Sequence, residues 1–145
     1  MSNEKHKVLF LCTGNTVRSQ MAEAIVNAQL GDEWQAFSAG VRPARQVHPF
    51  ALRVLRELGI EHQGRTKGPD EFRGVDFDLV VTLCDDAAEN CPLWLGPGSR
   101  VHLGLPDPSE ARGTEDEILN AFRAIRDEIT RRVPDLLRRW AIENH

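Results

Sequence analysis

Tyrosine is absent from this 145-residue sequence, and cysteine occurs only three times. An odd, small cysteine count with no secretory pattern ahead of it argues against a disulfide-stapled extracellular scaffold. It points to a reducing compartment, the cytoplasm, and to thiols kept for chemistry. Long apolar runs are lacking too, and none approaches the roughly 20 residues of a membrane span. The first seven residues, Met1 to Lys7, are polar and precede only four apolar ones, so no signal peptide is expected. Nor is there an excess of charge: a net charge of −4 gives no reason to expect nucleic acid or an anionic membrane as partner. Repeats, low-complexity tracts and linker-like stretches are missing as well. Residues 1–145 therefore read as a single domain, expected to be a monomer and long enough to bury a core without staples.

What the sequence does contain is concentrated between Val8 and Ala24. Four apolar residues, Val8-Leu9-Phe10-Leu11, read as a buried strand, and Cys12-Thr13-Gly14-Asn15-Thr16-Val17-Arg18-Ser19 follows at once as a turn. Met21, Ile25 and Ala28 then recur at helical spacing among good helix formers. A strand thus delivers a short polar loop to a helix N-terminus, where unpaired amides and the helix dipole attract an anion. The thiolate is the nucleophilic form of cysteine, and a helix N-terminus beside a cation favours it. Gly14 lets amides approach a bound oxygen, Asn15 tolerates left-handed geometry, and Arg18 offers a planar fork for two oxygens of a tetrahedral oxyanion. Ser19 is placed to donate to the sulfur. The loop amides of Thr13, Gly14, Asn15, Thr16 and Val17, with Arg18, make the expected oxyanion cradle around Cys12. The blander alternative is a buried structural cysteine beside an unrelated arginine.

Further along, Trp34 to Val41 reads as a short strand and Arg42 to Gln46 as a loop with solvated arginines. Pro49 opens a helix whose apolar face is Ala51, Leu52, Leu55 and Leu58, ending at Gly59. A polar stretch with a helical turn near Pro69 leads to a buried strand, Asp78 to Leu83. Arg100 to Leu105 is the last strand, and Pro106-Asp107-Pro108 is rigid and non-helical. Thr114 and Glu117 stand in capping-box spacing ahead of an apolar stripe of Ile118, Phe122, Ile125, Ile129 and Val133. Pro134 either kinks this helix or starts a second one. Strands alternating with helices predict an α/β fold, a three-layer domain with a four-stranded parallel sheet and helices on both faces. Ligands in such sheets bind at the carboxyl ends of the strands, where Cys12, Cys84 and Asp107 all fall.

Asp107 is either a turn former or a general acid for a departing oxygen. Cys84 and Cys91 are either buried small hydrophobes or a redox pair, and their spacing does not suit zinc. Were residues 84 to 91 a regular helix, seven steps of about 1.5 Å would hold the Cα atoms roughly 10 Å apart. A disulfide needs about 4.4–6.8 Å, so such a bond requires the segment to loop out or unwind.

The segment Phe10 to Glu23 resembles the opening of the low-molecular-weight protein tyrosine phosphatase superfamily, in particular its thioredoxin-coupled arsenate reductase branch. The resemblance extends from Val8 to about Ile129. It implies Cys12 as nucleophile on arsenate, Arg18 and Ser19 as its helpers, and Asp107 as general acid. Leu83-Cys84 and Cys91-Pro92 also match that branch, which implies a relay from Cys12 to Cys84 to Cys91, with thioredoxin as external reductant and no organic cofactor. Ordinary phosphatases of the superfamily need neither Cys84 nor Cys91, and they typically carry an aromatic residue beside the Asp-Pro. Here Ser109-Glu110-Ala111-Arg112 stands there instead, and no tyrosine exists. Asn15, Glu23 and Ser38 match positions that resemble a potassium site in some relatives. The fourth position falls near Gly68, which offers no carboxylate, so potassium is left with three of its four positions, and no other metal is expected. The expected activity is arsenate reduction, with phosphate as a competing oxyanion. A phosphatase acting on phosphotyrosine or small phosphate esters is the first rival, and a non-catalytic oxyanion- or arsenical-binding protein the second.

Overall fold

The computed structural model describes residues 5–84 and 98–144. Strand β1, His6–Cys12, leads through a bend into helix α1, Arg18–Gln29. Strand β2, Trp34–Gly40, helix α2, Pro49–Arg56, and a 3-10 turn at Pro69–Phe72 follow. Strands β3, Leu79–Thr82, and β4, Ser99–His102, precede a second 3-10 turn at Pro108–Glu110 and the long helix α3, Glu115–Glu143. The strands form one parallel sheet in the order β2-β1-β3-β4. β1 is therefore central, which is what its unbroken apolar run requires: a strand covered on both faces has no polar side to alternate with.

The two faces of β1 divide the core. Val8 and Phe10 pack with Met21 and Ile25 of α1, Val54 and Leu55 of α2, and Phe122, Ile129 and Val133 of α3. Leu9 and Leu11 pack on the opposite side with Phe72, Phe77 and Val80. Among the described residues the helical cover of that second face is the 3-10 turn carrying Phe72. Phe37, Phe72 and Phe77 meet there edge to face, with ring centroids 5.5–5.9 Å apart.

Several local expectations are refined. In α1 the buried face comprises Met21, Ala22, Ala24, Ile25 and Val26, whereas Ala28 is exposed. Its last turn meets the sheet through Asn27, whose amide bonds both the N–H and the carbonyl of Ala36 at 2.9 and 3.1 Å. In α2, Val54 takes the buried place expected of Leu58, which lies beyond the helix and is 39% exposed. The capping box of Thr114 and Glu117 is present. Pro134 does not start a second helix; it lies inside α3, buried beside Val133 and Leu137. The expected unwinding between Cys84 and Cys91 lies outside the described residues.

Candidate active site

The parallel register places the chemistry. Cys12 is the last residue of β1 and stands opposite Gly40, the last of β2. Leu11 is level with Thr82 on β3, and the N–H of Leu83 bonds the carbonyl of Leu11 at 2.8 Å. Cys84 thus follows β3 just as the cysteine loop follows β1, and both cysteines are buried at neighbouring strand ends.

The loop after Cys12 is held by its carbonyls. Those of Thr13, Gly14 and Thr16 accept from the N–H groups of Arg42, Ala44 and His48, each at 2.9–3.0 Å. The carbonyl of Asn15 accepts from Gln20 Nε2 at 3.1 Å. In a trans peptide the N–H of the next residue points opposite to the carbonyl. No cis bond is present among the described residues, so the amides of Gly14, Asn15, Thr16 and Val17 turn away from this scaffolding. That of Asn15 reaches Cys12 Sγ at 3.3 Å. Asn15 makes the turn with φ of 53°, the left-handed region that asparagine tolerates.

Ser19 Oγ lies 2.9 Å from Cys12 Sγ and accepts from Asn15 Nδ2 at 2.8 Å, which leaves its hydroxyl proton for the sulfur. Both donors thus converge on the sulfur placed to attack. Arg18, only 3% exposed, donates from Nη1 to the carbonyl of Leu105 at 3.0 Å. Its Nη2 stands 3.7 Å from Asp107 Oδ2. Asp107 Oδ1 is occupied by the N–H and Oγ of Ser109 at 2.9 and 2.7 Å, so its second oxygen is the one turned toward Arg18. Cys12, Arg18, Ser19 and Asp107 are thereby brought together around an amide-lined loop. That arrangement is suited to nucleophilic attack on a tetrahedral oxyanion.

Cys12 carries a free thiol, whereas Cys84 is disulfide-bonded. Cys91 lies outside the described residues. Arg42 and Arg45 are exposed, as their loop position predicts. No group of three His, Cys, Asp or Glu side chains suited to a metal occurs among the described residues.

Sequence reasoning missed four parts of this site. The segment 42–48 that fixes the loop carbonyls gives no sign of itself, being polar and irregular. Gln20 is buried completely and bonds Asn15 and the Arg65 carbonyl, yet reads in the sequence as a helix-surface residue. Lys67 and His62, in a polar loop, turn inward onto Glu23, Gln20 and Asn15. Gly40 did have a signal, a glycine closing a strand. A Cβ there would lie 2.6 Å from both Asn15 N and Thr13 O, so only glycine lets the loop sit against β2.

Comparison with known proteins agrees with this geometry. The family model described as low molecular weight phosphotyrosine protein phosphatase matches residues 7–144. An arsenate reductase of Bacillus licheniformis is 44% identical over 132 residues, covering 89% of this chain and 93% of that protein. The crystal structure of arsenate reductase from Archaeoglobus fulgidus superposes with a TM-score of 0.70 at 35% identity, covering 89% of this chain and 97% of that one. The thioredoxin-dependent arsenate reductase of Corynebacterium glutamicum superposes with a TM-score of 0.71 at 26% identity, over 99% of this chain and 66% of that one. By sequence, fold and the loop that follows its first strand, the chain belongs to the low molecular weight phosphotyrosine protein phosphatase family, on the branch of the arsenate reductases.

Proposed function

We propose that this protein reduces arsenate to arsenite through a relay of Cys12, Cys84 and Cys91. One observation carries the reading: Cys84, at the strand end next to Cys12, is disulfide-bonded while Cys12 keeps its thiol. Ester hydrolysis needs one thiol and water, so a second, oxidisable cysteine has work only in a redox cycle. Cys12 thiolate attacks arsenic, and Asp107 protonates the oxygen that leaves as water, giving a Cys12–arsenic adduct. The loop amides and Arg18 neutralise the remaining oxygens. Cys84 thiolate then attacks Cys12 Sγ. The sulfur–arsenic bond breaks, its electron pair stays on arsenic, and arsenite departs from a Cys12–Cys84 disulfide. Cys91 attacks Cys84, releases Cys12 as thiolate and leaves Cys84–Cys91. Two electrons from thioredoxin close the cycle; likeness to the thioredoxin-dependent enzyme of Corynebacterium glutamicum supports that reductant. A thiol cycle of this kind belongs in a reducing compartment, the cytoplasm.

The test supplies arsenate, thioredoxin, thioredoxin reductase and NADPH, with p-nitrophenyl phosphate in a parallel vessel. NADPH oxidation matching the arsenite formed is the expected result. Brisk ester hydrolysis with no arsenite would assign the loop to a phosphatase, the reading that the family description favours. Arsenate binding with neither turnover would leave a binding protein.

A further inference from the structure

A second cluster of charge lies beside the loop, and the relay does not use it. Glu23 on α1, His62 and Lys67 are 15%, 10% and 9% exposed at their side chains. Ser38 and Gln20, between them, are fully buried. Ser38 Oγ donates to Glu23 Oε1 at 2.9 Å. Lys67 Nζ stands 3.3 Å from Ser38 Oγ, 3.0 Å from the Arg65 carbonyl and 3.7 Å from Glu23 Oε1. His62 Nε2 lies 2.7 Å from Gln20 Oε1 and 3.8 Å from Glu23 Oε2. Since Gln20 spends its amide protons on Asn15 and Arg65, its oxygen must accept, so His62 carries its proton on Nε2. Burial holds His62 below its ordinary value of 6.5, against the pull of Glu23. Burial likewise holds Lys67 below its ordinary 10.5, against the pull of Glu23, and its Nζ is the amine set among the oxygens of Glu23 and Ser38. Arg65 is turned outward in an exposed pair with Glu71.

The same cluster reaches the sulfur. The backbone N–H of Lys67 donates to Asn15 Oδ1 at 3.0 Å, Asn15 Nδ2 donates to Ser19 Oγ, and Ser19 meets Cys12. Asn15 is the residue in left-handed geometry, so what pins its side chain also pins the loop.

The positions that resemble a potassium site, Asn15, Glu23 and Ser38, do not fit a free cation here. An ammonium already sits among the oxygens of Ser38 and Glu23, and a second positive charge in that cage would be repelled. Gly68, at the fourth position, has no side chain to offer; a Cβ there would meet Pro43 Cγ at 3.8 Å and the Gly40 carbonyl oxygen at 3.9 Å. We propose that Lys67 is a positioning residue that supplies from within the chain the monovalent cation Glu23 requires, so that the oxyanion loop keeps its shape without potassium. The proposal rests on Cys12 being the loop's reactive thiol. A mostly buried carboxylate stripped of its partner is strongly destabilising, and the chain would rearrange around it.

The experiment measures the rate at which iodoacetamide alkylates Cys12, read by peptide mass at fixed pH and ionic strength. This readout needs no arsenate turnover, so it stands or falls apart from the reductase reading. Buffers contain choline, sodium, potassium or ammonium chloride, and the proteins are wild type, Lys67→Arg and Lys67→Ala. Wild type should react equally fast in all four. Lys67→Ala should react at least several-fold more slowly in choline and recover in potassium or ammonium, and Lys67→Arg should recover most of the rate without either. Several-fold acceleration of the wild type by potassium over sodium overturns the proposal, and that arm needs no variant to fold. Lys67→Ala reacting like wild type in choline, or staying slow in every cation, overturns it as well.

Discussion

Cys12 receives two donors, the Asn15 amide and the Ser19 hydroxyl, and each is held by a bond of its own. Cys12→Ser should abolish arsenate reduction and any ester hydrolysis, because a serine hydroxyl in this setting does not ionise at neutral pH; steady-state assays of both activities check this. Arg18 is tied through Nη1 to the Leu105 carbonyl, which fixes the plane and edge of its guanidinium. Lysine offers a point charge in place of that edge, so Arg18→Lys should lower kcat/KM about 10²- to 10³-fold, the usual cost of losing a preorganised oxyanion donor. Gly40→Ala tests the loop without touching a reacting atom. Its methyl group would press on Asn15 N and Thr13 O, and a misplacement of about 1 Å at such a site costs roughly 100-fold in rate. Measured folding by circular dichroism should meanwhile stay native. Cys12, Arg18 and Ser19 were legible because one short stretch carries nucleophile, cation and helix start together. Gly40, Gln20 and Lys67 were not, because each acts on the loop from a distant part of the chain.

Elements behave as their apolar patterns require, and they depart where a polar side chain does the packing. Asn27 replaces Ala28 at the α1–β2 contact because its amide completes the unpaired N–H and carbonyl of Ala36. Helix α3 runs through Pro134 although proline removes one helical bond and crowds the preceding turn. Burial of Val133, Pro134 and Leu137 against the core offsets that cost, a tertiary contribution to which local propensity is blind. The start of α3 is local, by contrast: Thr114 Oγ1 accepts from Glu117 N, and Glu117 Oε1 accepts from Thr114 N, both at 3.2 Å. Thr114→Ala should cost about 1 kcal/mol of unfolding free energy, read from the urea midpoint at unchanged slope.

Across the whole molecule, Glu57 joins the end of α2 to α3. Its carboxylate accepts from Arg123 at 2.8 Å and from Arg126 at 2.7 Å, while Arg126 also donates to the Val54 carbonyl. The hydrogen bond from Arg123 leads, followed by that from Arg126, in lowering Glu57 from its ordinary 4.5 to about 2. A carboxyl depressed on folding stabilises the native state above its unfolded value. That stability drains away as pH falls from about 4.5 through about 2. The Glu57 side chain is 37% exposed, so solvent screening holds the gain to about 1 kcal/mol. Glu57→Gln should accordingly melt below wild type at pH 7 and converge with it near pH 2, as followed by thermal unfolding.

The sequence by itself determined the central strand, the thiol loop, the helix that receives it and the order of the remaining elements. These depend on neighbours in the chain, where apolar periodicity and turn chemistry act. Only the tertiary structure decided which polar residues stand behind the loop. Parallel strands need long crossovers, so Gly40, the segment 42–48 and Lys67 reach the loop, and His62 reaches Gln20 behind it, across wide sequence gaps. Polar side chains in irregular segments carry no period that marks them as buried. Whether Lys67 faces water or Glu23 is settled by the cost of leaving that carboxylate without a counter-charge, a quantity that exists only once α1, β2 and the following loops have closed around it.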